Sequence, residues 1–388
     1  MENQQPNSNY LFDRRYLNPF RRWWIDIDKI NFSIVIAIII FGLMMTASSS
    51  PVIAKKIDVE KFFFLKKQII FALVALFLIV SVSLLNEEKI KAISLIGLLI
   101  AILMLIMVLF FGSQTKGATR WISFFGFTVQ PSELAKTFFI ISNAFLLQRF
   151  YFDKWYIKYG SSLFLLMVMV LLLILQPDFG MTLSFTALWA IQLFLNGLPW
   201  LFICGLIFLG FMGAIGAYLT FPHVEDRINK FLDSSNKNYQ AERSLDAFIN
   251  GSFFGKGPGN GMVKKFIPDV HTDFIFSAIA EEYGILFCIF FILVFGYLIT
   301  RIVKRAIEEE NMFIYLSLCG LMLQFTMQVI VNIGVSLKLL PTKGMTLPFI
   351  SYGGSSMIAM GICFGLILAF TKRKYHRNVD YGNTKLIV

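Results

Sequence analysis

Ten blocks of apolar residues divide this sequence, most of them near or above the roughly 18 residues that a membrane-crossing helix requires, and no soluble core can absorb so many. They lie at about 30–47, 68–85, 93–111, 137–150, 161–176, 181–197, 199–221, 274–300, 312–336 and 355–371. With 57% hydrophobic and 15% charged residues, the 388-residue chain has too little polar surface to stay dispersed in water. The expected fold class is all-α: a polytopic integral membrane protein built as a bundle of about ten transmembrane helices. The fourth block is short and is expected to draw on Glu133 to Lys136. The layout is a polar segment 1–29, a membrane domain 30–371 with a long loop at about 222–273, and a tail 372–388.

An even number of spans puts both termini on one side. Lys372, Arg373, Lys374 and Arg377 crowd just after the last span, which favours termini inside and the long loop outside. Arg21-Arg22-Trp23-Trp24 reads as a cytoplasmic edge with an aromatic interface anchor rather than a twin-arginine signal. The first span exceeds the apolar region of a signal peptide and is expected to stay uncleaved. The formal charge of +11 sits at block edges and in loops, where membrane lipid supplies the counter-charge, so no nucleic acid is expected as a partner. Cys204, Cys288, Cys319 and Cys363 fall inside apolar blocks and suggest neither disulfides nor a zinc site.

Termini inside would place 112–136, the Gln176–Gly180 turn, 222–273 and 337–354 on one face, where chemistry is expected. In Pro268-Asp269-Val270-His271-Thr272-Asp273, the Asp273 carboxylate either caps the next helix or, partly desolvated, takes a proton from a hydroxyl. His271 is either an ordering or substrate-binding group, or simply solvated. Glu281 and Glu282 are too costly at membrane depth unless they pair with a buried cation or face a wet cavity. Lys116, Arg120 and Lys136, with Trp121 between them in sequence, suit either a lipid-linked pyrophosphate or plain head-group anchoring. Asp178 is an anchor in a tight turn or a metal-facing carboxylate beside Asp273. Gln324, Gln328 and Asn332 recur every four residues as one polar stripe, for which interhelical hydrogen bonds are the default. The glycine-rich stretch from Gly251 to Gly261 contains no Gly-Lys-Ser/Thr and follows no strand, so it is not a nucleotide loop and reads as a mobile loop. Pro341 to Ser356 reads as a rigid turn that leads into close helix packing or walls a binding site.

Six stretches, in order, carry a resemblance: KGATRWI from Lys116, QPSELAK from Gln130, QPDFG from Gln176, YQ at Tyr239-Gln240, PDVHTDFIFSAIAEEYG from Pro268, and LPTKGMTLPFISYGGSS from Leu340. The chain resembles the SEDS family of shape, elongation, division and sporulation proteins, which includes FtsW and RodA, and the Pro341–Pro348 stretch resembles the division type. The resemblance implies a peptidoglycan glycosyltransferase of the bacterial cytoplasmic membrane, working at the division septum. It would polymerise lipid II into β-1,4 glycan at the outer face, beside a class B penicillin-binding transpeptidase and other division proteins. It implies Asp273 as the essential acid and a functionally sensitive loop at Lys116, Arg120 and Trp121; these three, with Lys136, Asp178, His271 and Ser351, are the substrate-binding candidates. A divalent cation, Mg or Mn, is expected and no organic cofactor. Two departures stand out: Asp269 occupies a position where many relatives carry Glu, and Gly251-Ser252 stands where they often carry two glycines. A flippase for lipid-linked precursors and a non-catalytic scaffold for the transpeptidase are the alternatives.

Overall fold

The computed structural model describes residues 18–115, 118–124, 127–149, 154–220, 225, 239–341 and 344–372. Lys116, Thr342, Lys343 and most of 221–238 lie outside them. The helices, numbered in chain order, begin with α1 (Pro19–Asp26), α2 (Lys29–Ser49), α3 (Pro51–Lys56), α4 (Phe63–Ser83) and α5 (Glu87–Phe111). Strands β1 (Ser113–Thr115), β2 (Ala118–Phe124) and β3 (Phe127–Val129) follow, then α6 (Pro131–Arg149), α7 (Trp155–Leu175), α8 (Phe179–Leu195) and α9 (Trp200–Thr220). The chain closes with α10 (Tyr239–Gly251), a 3₁₀ turn at Val263–Phe266, α11 (Ile275–Tyr283), α12 (Ile285–Ile307), α13 (Met312–Ser336) and α14 (Gly354–Phe370).

Nine of the ten apolar blocks each coincide with one helix, and the eighth with two. Among the described residues, six helical stretches are long and apolar enough to cross a membrane, and α8 and α14 are shorter apolar helices. The fourth span does draw on its preceding polar residues, because α6 begins at Pro131, where the missing N–H costs nothing. Helix starts are set by local chemistry. Asp28 accepts the amides of Ile30 and Asn31 at 3.2 Å and holds Arg301 of α12 through both oxygens at 2.8 Å. That pair fixes one end of α2 against α12.

In a bilayer the helices gain little from burying apolar surface against one another, so close packing and hydrogen bonds decide the arrangement. Alpha-14 lies along α4, where a Cβ at Gly361 would come within 3.0 Å of the Ala75 backbone. Deep in the bundle, Asn143 donates to Gln192 at 2.9 Å and accepts from Ser162 at 2.6 Å, and Trp189 donates to Ser162 at 2.8 Å. Gln192 donates in turn to the Ile140 carbonyl at 2.9 Å. This network ties α6, α7 and α8 together, and sequence patterning gave no hint of it.

Three expectations are corrected. The eighth block is broken at Gly284, whose φ of 85° separates α11 from α12. Glu281 and Glu282 therefore close a nine-residue helix at the loop end of the bundle rather than lying partway down a span. The glycine-rich stretch is a fixed backbone-to-backbone contact: Lys256 N donates to Glu281 O and Ile285 N to Ser252 O, each at 2.9 Å. A Cβ at Gly255 would overlap the Glu282 carbonyl and one at Gly284 the Phe253 carbonyl, both at 2.2 Å. The fold class is all-α as expected, with one small addition among the described residues: a three-stranded antiparallel meander, β1-β2-β3, which pairs Ser113 with Trp121 and Ile122 with Val129.

Candidate functional site

Asp273 is placed by backbone bonds. Asp269 adopts a left-handed φ of 54°, which turns its carbonyl toward the following residues. That carbonyl accepts the amides of Thr272 at 3.0 Å and Asp273 at 3.1 Å, together with the Thr272 hydroxyl at 3.0 Å. The turn is tied to the segment before α14 by a Ser351 hydroxyl that donates to the Thr272 carbonyl at 2.6 Å and accepts the Leu347 amide at 2.8 Å. Tyr352 N donates to the His271 carbonyl at 2.8 Å. From α13, Asn332 Nδ2 donates to the carbonyls of Asp273 at 3.0 Å and Met345 at 2.7 Å, bridging both segments. The half-buried Asp273 carboxylate lies beside Gly344, where a Cβ would stand 3.5 Å from Oδ2.

His271 packs between Phe64 and Tyr352, with ring centroids 4.7 and 5.3 Å away. Burial pushes its pKa down to about 4, against the opposing pull of the Asp269 charge. It is therefore neutral near pH 7 and acts as a flat packing surface under the Asp273 turn, not as a cation for phosphate.

The α13 stripe connects this turn to α6. One turn from Asn332, Gln328 Nε2 donates to Glu133 Oε2 at 3.0 Å, and the same oxygen is 3.0 Å from Lys136 Nζ. A further turn along, Gln324 and Thr137 exchange hydrogen bonds. Lys136 is 1% exposed and lies inside the bundle in an ion pair. The buried Gln328 Oε1 and Asn332 Oδ1 have no hydrogen-bond partner among the described residues. Glu133, Gln328 and Asn332 complete this polar seam; the spacing of four marked the α13 residues, but nothing in the sequence marked their partners.

Arg120 and Asp178 form a second group, while the neighbouring Trp121 is paired with Ser113 in the meander. Arg120 Nε is 3.1 Å from Asp178 Oδ2, and its Nη2 donates to the Pro177 carbonyl at 3.4 Å. Asp178 Oδ1 accepts the Met181 amide at 3.2 Å and so caps α8. The pair clamps the meander onto α8. The meander that carries Arg120 reaches the other segment through β3, which packs against α14, the helix that starts three residues after Ser351. Lys116 lies outside the described residues. Among the described residues no three His, Cys, Asp or Glu side chains converge, and both Asp178 oxygens face protein groups, so these residues do not form a cation site of their own.

Glu281 and Glu282 resolve as paired. Glu281 accepts the amides of Met262 and Val263 at 2.7 Å, that of Lys264 at 2.8 Å, and Asn250 Nδ2 at 2.7 Å. Glu282 holds the buried Lys264 ammonium and the Ser48 hydroxyl, which fastens the loop to the end of α2.

Residues 28–376 match the family model described as "Cell cycle protein", which covers FtsW, RodA and SpoVE. A probable peptidoglycan glycosyltransferase FtsW of Caulobacter vibrioides is 34% identical, over 97% of this chain and 98% of its own. One from Saccharophagus degradans is 35% identical, over 87% and 90%. Among solved structures, a chain from a peptidoglycan synthase complex, studied for the coordination of polymerization and crosslinking, superposes with a TM-score of 0.75 at 27% identity. It covers 89% of this chain and 97% of that one. The rod shape determining protein RodA of Thermus thermophilus gives 0.67 at 26%, covering 90% and 97%. The chain belongs to the FtsW, RodA and SpoVE family of cell cycle proteins.

Proposed function

We propose that this protein is a peptidoglycan glycosyltransferase of the division type, which polymerises lipid II into β-1,4 glycan at the outer face of the cytoplasmic membrane. The observation that carries the reading is the Asp273 carboxylate, half-buried and locked at its backbone to Asp269 and Asn332. In this reading the loop face is extracytoplasmic and the donor's undecaprenyl tail stays in the bilayer. Asp273 takes the proton from the 4-hydroxyl of the acceptor's GlcNAc as that oxygen attacks the anomeric carbon of the donor's MurNAc. The bond from that carbon to the pyrophosphate breaks with inversion, so an α-linked donor yields a β-linked product. A positioned base is worth about 10²–10⁴ in rate, so the charge developing on the pyrophosphate needs its own stabilisation. Arg120 supplies it with the donors left free by Asp178 and Pro177, and Lys116 belongs to the same loop. No step is routed through a divalent cation.

Lys136 supports the seam beneath Asn332 rather than meeting substrate as a free cation, since Glu133 already holds it. The class B transpeptidase and other division proteins are the proposed partners, and the septum the proposed site of action. A transport path would need ionisable groups along a wet midplane cavity, whereas the Asn143–Gln192–Ser162–Trp189 network is made of uncharged side chains bonded to one another and to backbone carbonyls. The test is purified Asp273→Asn with lipid II. Loss of glycan chains by at least about a hundredfold is expected, with unchanged melting in detergent. Chains formed at the parent rate would overturn the base assignment. Flipping in liposomes without polymer would replace the reading with transport, and neither signal from the parent protein would leave a scaffold.

A further inference from the structure

The span ends fix where the bilayer sits on this chain. Asp28 and Arg301 pair at one end of α2, and Ser48 meets Glu282 and Lys264 near the other. The twenty residues from Asp28 to Ser48 rise about 30 Å, the thickness of the hydrocarbon core. These two polar clusters therefore mark its two boundaries. Leu286 stands fifteen residues from Arg301 along α12, about 22 Å up the same axis, and so falls several ångströms inside the loop-side boundary.

The glycine-rich segment is joined to α12 at that depth. Ile285 N donates to Ser252 O at 2.9 Å and Leu286 N to Phe253 O at 3.4 Å. Phe253 and Phe254 are nonetheless 62% and 84% exposed. They continue an outward apolar face formed by Leu286, Ile289, Phe290 and Leu293 of α12. Backbone inserted into hydrocarbon must have its polar groups satisfied internally, and most amides of this segment are bonded within the fold. Gly255 N bonds Gly251 O, Lys256 N bonds Glu281 O, and Gly257 N bonds Glu282 O, at 2.8 to 2.9 Å. Lys256 is exposed at the rim, where its stem can lie along the apolar surface and its ammonium reach head groups.

We propose that residues 251–257 form a re-entrant lip that inserts Phe253 and Phe254 into the loop-side leaflet, with lipid acyl chains as their partner. The occupant follows from continuity with the outward face of α12 and from the depth set by Arg301. Because Asn250, Lys256 and Gly257 are bonded to Glu281 and Glu282, the lip also holds the far end of α11, the helix that begins beside Asp273. The membrane surface is thus coupled to the position of that turn.

The test uses the full chain with Cys204→Ser, since Cys288, Cys319 and Cys363 are buried. Phe254→Cys, and separately Asn260→Cys as a rim control, are labelled with an NBD fluorophore. Each protein is reconstituted alone in phosphatidylcholine–phosphatidylglycerol vesicles. The label at 254 is expected to emit blue-shifted light and to be quenched at least roughly threefold more by 5-doxyl lipid than by aqueous iodide. The label at 260 is expected to show the reverse preference. Stronger iodide quenching at 254, or equal behaviour at both sites, would overturn the lip. So would a signal at 254 that vanishes when the protein is diluted in lipid, because a second copy would then be the covering partner.

Discussion

Replacing Glu281 tests whether the loop before Asp273 is held by one carboxylate. Its Oε1 takes three donors, Asn250 Nδ2 and the amides of Met262 and Val263, and its Oε2 takes the Lys264 amide. Glu281→Ala leaves three backbone N–H groups at the start of the 3₁₀ turn without an acceptor, while Asn250 can turn toward solvent. At 1–3 kcal/mol for each stranded donor, and with water entering the space, the local cost is about 4 kcal/mol. Glu281→Gln keeps the three bonds at one oxygen but points an amide NH₂ at the Lys264 N–H and loses the charge facing the turn, a cost of about 2 kcal/mol. Each 1.4 kcal/mol is tenfold, so amide exchange across 255–266 should quicken by about a thousandfold in the alanine variant and about thirtyfold in the glutamine variant. Hydrogen exchange in detergent, read by mass spectrometry on peptides from this loop, measures both. The reasoning is refuted if the two variants exchange like the parent, or if glutamine is the more damaging change. Glycan formation should fall less in either than in Asp273→Asn, because Asn332 and Ser351 still hold the turn.

Gly284→Ala combines a φ of 85° with a Cβ 2.2 Å from the Phe253 carbonyl, so it should cost about 3 kcal/mol or more and lower the melting temperature in detergent sharply. Ser252 carries a φ of 53° that glycine adopts freely, so Ser252→Gly should stabilise by about 0.5–1 kcal/mol after the loss of unfolded-state restriction, read as a higher melting temperature. His271 has a folded pKa of about 4 against an ordinary 6.5, so the unfolded chain takes the proton first as pH falls. The associated stability of about 3 kcal/mol is whole above pH 6.5 and disappears between 6.5 and 4. His271→Phe should remove that part of the pH dependence of melting.

The bundle was legible because a bilayer leaves few choices: apolar blocks long enough to span it become helical, and nine of the ten did so as single helices while the eighth split in two. What went unread shares a cause. Neither the meander at Ser113–Val129 nor the break at Gly284 shows in hydropathy, since both depend on pairings between residues brought together by the fold. The glycines from Gly251 to Gly259 looked mobile for the same reason. A residue without a side chain signals freedom in one dimension and close approach in three, and only the carbonyls of Ala280, Glu282 and Phe253 decide between them. Glu281 and Glu282 were recognised as groups that must be paired, but Lys264 lies too far away in sequence to be identified as the cation.

The candidate site divides in the same way. Asp273, His271 and Ser351 came from contiguous motifs and meet through turns of backbone, yet their local chemistry could not say which of them carries charge. Burial between two aromatic rings favours the neutral form of His271, while the half-exposed Asp273 carboxylate lies beside Gly344. Arg120 and Asp178 were nominated as separate ligands and instead hold each other at 3.1 Å. That pairing changes the electrostatics demanded of the reaction, because an arginine offset by a carboxylate attracts the resting pyrophosphate less than a bare one would. In the proposed mechanism, Arg120 donors not engaged by Asp178 or Pro177 would meet charge that develops as the bond breaks, which would stabilise the transition state more than the ground state and so favour rate over binding. Asp178→Asn should then tighten donor binding while loosening the cap of α8, two effects that a KM-against-kcat comparison and a melting curve separate.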